Sequence, residues 1–177
     1  MKQLSSEKSF SLVEALVGIT IILTLSAILL PNYGAFSRQF SLLRSTYRLA
    51  QDLRRVQEMA ISAKELPSEG VPPGYGIYLE MGSSQTSYRL YADTSPLGGD
   101  ERYDAGDAIV ETINLGKGVY IKEISPLSPL SVNFKGPAPI TTISGAASSA
   151  IISLALEADP ESIQKVIVNK VGLIYVE

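Results

Sequence analysis

From Ala15 to Ser37 the chain runs for 23 residues, ALVGITIILTLSAILLPNYGAFS, without a charge. Wound as a helix this stretch is about 35 Å long, against roughly 30 Å of hydrocarbon in a bilayer. It is therefore long enough to span a membrane. A cleaved secretory signal, with Lys2 and Lys8 as its basic region, is the rival reading, but its apolar part runs only about 7 to 15 residues before a small-x-small cleavage site. Here Ile28, Leu29 and Leu30 follow directly on Ser26 and Ala27. Glu14 stands at the head of the run with no basic residue within helical reach. A carboxylate costs roughly 2.5 to 3.5 kcal/mol at the centre of a membrane helix and less near the interface, so its presence there asks for a reason.

The soluble core has to be built from what remains. The chain has 177 residues, the size of one domain, and 45% of it is hydrophobic, much of that at one end. A net charge of −3 and a pI of about 5.1 give no electrostatic case for nucleic acid. There is no cysteine, which excludes a disulfide scaffold, a zinc-thiolate site and a thiol nucleophile, and no histidine, which removes the commonest general base. Serine, aspartate and lysine are present, but no spacing suggests a triad or a metal centre, so the chain reads as a non-enzyme.

Beyond the apolar run, Leu42, Leu49, Leu53, Val56, Ala60 and Ala63 recur every three or four positions, with Thr46 filling the gap. This is the period of an amphipathic helix. Arg44, Arg48, Gln51, Arg55 and Glu58 lie on its other face. One helix is expected from Ser11 to Lys64, kinked at Pro31, loosened at Gly34 and ended by Pro67. The period then changes to two. GYGIYLE (Gly74 to Glu80) and TSYRLYA (Thr86 to Ala92) flank a GSSQ turn as a hairpin, and AIVETINL, GVYIKEI, LSVNF, AIISLAL, SIQKVIVN and GLIYVE are further strand candidates. PAPITTISGAASSA reads as a flexible connection or a loosely held strand. The expected fold class is α+β: a long N-terminal helix, membrane-spanning in its first half and amphipathic in its second, packed on a small antiparallel sheet or sandwich.

The stretch Lys8-Ser9-Phe10-Ser11-Leu12-Val13-Glu14, followed by an apolar helix containing Pro31, resembles the N-terminal signature of type IV pilins and of the pseudopilins of type II secretion and DNA-uptake machines. More weakly, LAQDLRRVQEMAISAK (Leu49 to Lys64), SYRLYAD and the C-terminal KVIVNKVGLIYVE resemble minor pseudopilins and minor pilins. The resemblance implies a leader at 1–9, a prepilin peptidase cut between Ser9 and Phe10, and N-methylation of Phe10. It implies a transmembrane and assembly half of the helix at 10–37, an amphipathic half at 38–65 and an extracytoplasmic β-rich domain at 66–177. Family members nearly always have Gly before the cut, so Ser9 implies slower processing.

The resemblance also gives Glu14 a role. In a filament the family pairs this carboxylate with the N-terminal amine of a neighbouring subunit, so that a subunit out of register leaves unpaired charges in an apolar bundle. The alternative is a carboxylate that reaches back to the headgroups from the membrane edge. The implied partners are other pilin or pseudopilin subunits, prepilin peptidase, the inner-membrane assembly platform and lipid. The implied location is a single-pass membrane protein with a cytoplasmic N-terminus, and later a cell-surface or periplasmic filament, most often as a minor component. Counting Lys and Arg alone, the flank with Arg38, Arg44 and Arg48 is at least as basic as the one before the span, so charge by itself does not set that orientation.

Two clusters remain. Asp93, Asp100, Asp104 and Asp107 share a Gly-rich stretch, and hard oxygens at short spacing suit calcium, which major pseudopilins as a class hold in a related loop; a solvated acidic turn beside Arg102 is the alternative. Arg38, Arg44, Arg48, Arg54 and Arg55 suit phosphates of lipid or DNA, or else form a solvated face with Arg48–Asp52 and Arg54–Glu58 pairs. From Leu66 onward the chain has 7 basic and 13 acidic residues, a net of −6. That weighs against a minor pilin that captures DNA, though not against adhesion. A membrane-anchored domain with no assembly role is the third alternative.

Overall fold

The computed structural model describes residues 11–67, 70–82, 85–137 and 140–177, with the side chains of 30–33 set aside. One α-helix, α1 (Leu12–Ile61), is followed by nine strands among the described residues: β1 (Gly74–Leu79), β2 (Ser87–Asp93), β3 (Ala108–Asn114), β4 (Val119–Ser125), β5 (Leu130–Lys135), β6 (Ile140–Ile143), β7 (Ser149–Leu156), β8 (Asp159–Asn169) and β9 (Ile174–Val176). All pairings are antiparallel, in a five-stranded sheet ordered β3-β2-β1-β5-β6 and a four-stranded sheet ordered β4-β7-β8-β9. The expected α+β class is therefore observed. Residues up to Ser37 form one compact unit and residues from Arg38 another.

In the first unit the stretch Leu12–Leu29 is long and apolar enough to cross a membrane, and none of it is buried. Thr20 and Thr24 turn their hydroxyls inward to the carbonyls of Leu16 and Thr20. These two hydroxyls thus satisfy themselves on their own backbone. The backbone is helical through Pro31, but the kink expected there concerns residues whose side chains lie outside the described set.

In the second unit Leu42, Leu49, Leu53, Val56 and Ala60 are buried, together with Ala50 and Met59. They join the inward faces of both sheets in one hydrophobic cluster. Tyr75, Ile77 and Leu79 of β1 lie opposite Ala92 and Leu90 of β2 and opposite Phe134, Val132 and Leu130 of β5, so the register puts a single apolar face against the helix. Polar ties fix the helix between the sheets. Tyr88 donates its hydroxyl to Asp52 at 2.5 Å, and Arg54 and Gln57 donate to the carbonyls of Ile174 and Gly172.

Three expectations are corrected. The helix ends at Ile61, before Pro67, because Lys64 N–H bonds Met59 C=O and Ala63 N–H bonds Ala60 C=O, a Schellman closure with Ala63 left-handed at φ 47°. Ala63 is therefore exposed and outside the stripe. PAPITTISGAASSA contains an ordered edge strand, β6, paired with β5 from Lys135↔Ile140 to Val132↔Ile143; residues 138–139 of it, and 83–84 of the GSSQ turn, lie outside the described residues. Arg54 does not pair with Glu58. Its guanidinium is drawn to β9, and Arg55 instead pairs with Glu111 at 2.8 Å.

A left-handed alanine costs roughly 1 to 2 kcal/mol relative to a residue free of Cβ strain, partly offset by the greater unfolded-state freedom of glycine. Ala63→Gly is expected to stabilise the protein by about 0.5 to 1 kcal/mol in urea unfolding of residues 38–177. A loss of stability would mean that this turn is not the helix terminus.

Candidate functional site

The first turn of α1 carries the residue singled out at the head of the apolar run. Ser11 precedes the helix, and its Oγ accepts the N–H of Glu14 at 3.2 Å. Ser11-Leu12-Val13-Glu14 therefore has the sequence of a capping box, with a serine at the N-cap and a glutamate three residues on. The S-x-x-E pattern was the signal for this cap, and reading Glu14 only as an oddity in an apolar run passes over it. The negative side chain in the first turn also meets the positive end of the helix dipole. Glu14 is exposed, and the ion pairs formed among the described residues all lie elsewhere. Its carboxylate is thus available to a cation from outside this copy of the chain. Ser9 and Phe10, the residues of the expected cut, lie outside the described residues.

The acidic stretch between β2 and β3 folds back over the outer face of the five-stranded sheet. On that face Gly76 lies beside Tyr91 and Asn133, and Gly74 beside Asp93 and Lys135. A Cβ at Gly76 would fall on the Tyr91 ring, so the missing side chain is what lets the ring lie across β1. Tyr91 Oη then reaches Ser131 Oγ at 2.5 Å, and Asn133 Nδ2 donates to Asp93 at 3.1 Å. Tyr103, from the loop, covers the assembly with its ring 4.3 Å from Tyr78 and 5.2 Å from Tyr91. This cover explains why β1 and β5 are buried on both faces instead of alternating.

The aspartates organise the loop through backbone donors. Asp93 accepts the N–H groups of Asp100 and Glu101, and Asp107 accepts those of Thr94, Ser95 and Asp104. Asp100 and Asp104 accept the N–H two residues ahead of each, from Arg102 and Gly106. Among the described residues no group of three acidic side chains could hold a metal ion. In the fold these carboxylates accept amide donors of their own loop. Burial pushes Asp93 and Asp107 above the usual carboxylate range, with the amide bonds opposing it in part. Glu101 is held below that range by the Thr142 hydroxyl and by Lys135. Of the basic cluster, Arg48 approaches Asp52 at 3.9 Å as expected.

Comparison with solved structures identifies the architecture. The type IV minor pilin FimU of Pseudomonas aeruginosa superposes with a TM-score of 0.53 at 9% identity, over 80% of this chain and 92% of that one. The minor pseudopilin EpsH of the type 2 secretion system of Vibrio cholerae gives a TM-score of 0.49 at 13% identity, over 77% of this chain and 96% of that one. No family model and no curated protein matches the sequence. At 9% identity the likeness establishes the fold alone: a long N-terminal helix, apolar in its first part, on antiparallel sheets, which is the pilin fold. Among the described residues one helix is long and apolar enough to cross a membrane, consistent with a single membrane anchor.

Because the folded carboxyls of Asp93 and Asp107 bind protons more readily than unfolded ones, the stability they contribute is fullest below the ordinary carboxylate range and is lost as pH rises through it. Asp93→Asn removes one of these titrations. The parent should therefore gain stability relative to the variant as pH falls from about 7 to about 4 in denaturant titrations. A difference that stays flat with pH would contradict the burial assigned to Asp93.

Proposed function

We propose that the chain is a pilin-like subunit, stored in the membrane by its N-terminal helix, cut between Ser9 and Phe10, and assembled through that helix into a type IV pilus or a secretion-type pseudopilus. In this reading residues 1–9 are the leader, 10–37 the assembly and membrane half of the helix, 38–65 its amphipathic half, and 66–177 the exported domain. The partners are other pilin-like subunits, prepilin peptidase and the inner-membrane assembly platform. The observation that carries the reading is a pilin fold whose exposed apolar helix opens with a carboxylate, Glu14, that forms no ion pair among the described residues. Cleavage before Phe10 creates an ammonium group four residues from that carboxylate in sequence. Between adjacent subunits the two charges would neutralise one another inside an apolar bundle.

The Ser11 cap favours a second, local reading in which Glu14 serves only the helix terminus. The two readings part at glutamine, which caps as well as glutamate but carries no charge. Removing one partner of a buried ion pair typically costs roughly 3 to 5 kcal/mol. Glu14→Gln and Glu14→Ala are both expected to accumulate in the membrane at normal levels and to fail to enter filaments. If Glu14→Gln assembles as the parent does and only Glu14→Ala is impaired, the carboxylate is a cap and not an intersubunit partner.

A further inference from the structure

The buried stripe of α1 leaves the other side of the helix to be explained. There Phe40, Leu43 and Tyr47 stand exposed at spacings of three and four residues, a second apolar stripe on one face. Arg44 and Arg48 run along its flank, and Gln51 follows it. Arg48 leans toward Asp52, at 3.9 Å; Arg44 has no hydrogen bond or ion pair among the described residues. No acidic side chain is exposed between Arg38 and Gln57, since Asp52 is buried against Tyr88. The fold of the second unit does not use this arrangement of aromatic, aliphatic and cationic groups, which stand exposed.

A complementary surface lies at the other end of the same compact unit. Val71, Pro72, Pro73, Thr94 and Leu97 line an open groove of about 510 Å³. Leu97 is fully exposed and Val71 half so. Beside the groove Asp100 is exposed and Asp104 half-exposed, against one base, Arg102; Glu101 is held by Lys135 and Thr142. The groove belongs to the C-terminal end of α1, because Tyr75 at the start of β1 donates its hydroxyl to Lys64 C=O at 2.6 Å, and Asp93 pairs with Gly74 where Thr94 leaves the sheet. From Leu43 to Ile61 the helix advances about 27 Å. The two surfaces of one copy therefore cannot meet, but those of two copies can.

We infer that the stripe Phe40–Leu43–Tyr47 of one copy docks in the Val71–Pro73–Leu97 groove of a second copy, with Arg44 and Arg48 facing Asp100 and Asp104. This inference rests on the assembly proposed above and names its contact within the exported domain. Apolar groups match apolar groups, cations match anions, and the aromatic side chains meet a proline-lined groove of the size that accepts them. Because the two surfaces differ and lie at opposite ends, the contact is heterologous: a pair of copies leaves one surface of each kind free, and the series can continue from copy to copy. It follows that two or more copies of this chain stand next to one another in the assembly.

The chain has no cysteine, so an engineered pair reports only its own contact. Tyr47→Cys with Leu97→Cys, made in the full chain and oxidised in its own membrane, is expected to give a ladder of dimers, trimers and larger species. Each single variant should stay monomeric. In the double-cysteine background Arg44→Asp should abolish the ladder, and adding Asp100→Arg should restore it. Dimers from Tyr47→Cys alone would mean that the stripe pairs with itself, and a ladder indifferent to the charge changes would mean adventitious proximity; either overturns the inference. Sedimentation of the parent with filaments separates this failure from a wider one. If the parent sediments with filaments while the pair gives no ladder, the contact is wrong and the assembly stands. If it neither sediments nor forms a ladder, both fall.

Discussion

Burial of Leu49, Leu53 and Val56, each fully withdrawn from solvent, is the interaction on which the second unit depends. Each such side chain contributes about 1.5 to 3 kcal/mol, and together with Ala60 and Leu42 they bring the inward faces of both sheets into a single cluster with the helix. Neither sheet has another apolar layer to cover it among the described residues. The same 50-residue helix also carries the apolar stretch that no part of its own unit buries. One element is therefore built for two surroundings, with a first part long and apolar enough to cross a membrane and a second part that meets a β-rich core. The chain changes from residues apolar all round to residues apolar on a stripe where that change is required.

The outer face of the five-stranded sheet follows from a different constraint. Two glycines on β1 remove side chains so that Tyr91 and Asn133 can lie across the strand. The resulting polar surface is closed by a loop tied down through buried carboxylates and amide donors. Buried polar groups of this kind are tolerable because nearly every one is paired. The aspartates that look like cation ligands in sequence are, in the fold, the acceptors that hold the loop closed.

Much of this was legible in the residues and some was not, for physical reasons that can be named. The helix, its buried stripe and the hairpin of β1 and β2 follow from periods of 3.6 and 2 that burial on one face enforces. The helix end is not legible because Pro67 is the visible stop, whereas a Schellman closure at Ala63 comes first without the glycine that usually announces it. The edge strand β6 is short and rich in Thr, Ser and Gly nearby, so composition argued for a connection while the Val132–Lys135 backbone supplied its pairing. Tyr91, bonded to Ser131 and Asn133 on the outer face, erases the alternation of β5. The amide bonds of the acidic loop were not legible, because aspartates spaced for metal and aspartates spaced for Asx turns look alike until the backbone donors are in place. The second stripe obeys the same helical period as the first, displaced to the other face, and is hidden by any reading that seeks one apolar side only.

Capping and pairing need not compete at Glu14, since its backbone N–H bonds Ser11 while its carboxylate stays exposed in the first turn, where an incoming ammonium can reach it. What the account requires above all is that this ammonium exist. The most direct test is the intact mass and N-terminal residue of the protein purified from its own membrane. The account predicts a chain that begins at Phe10, with the mass of an N-methyl group added. A protein that still begins at Met1 in cells with an active prepilin peptidase would contradict it.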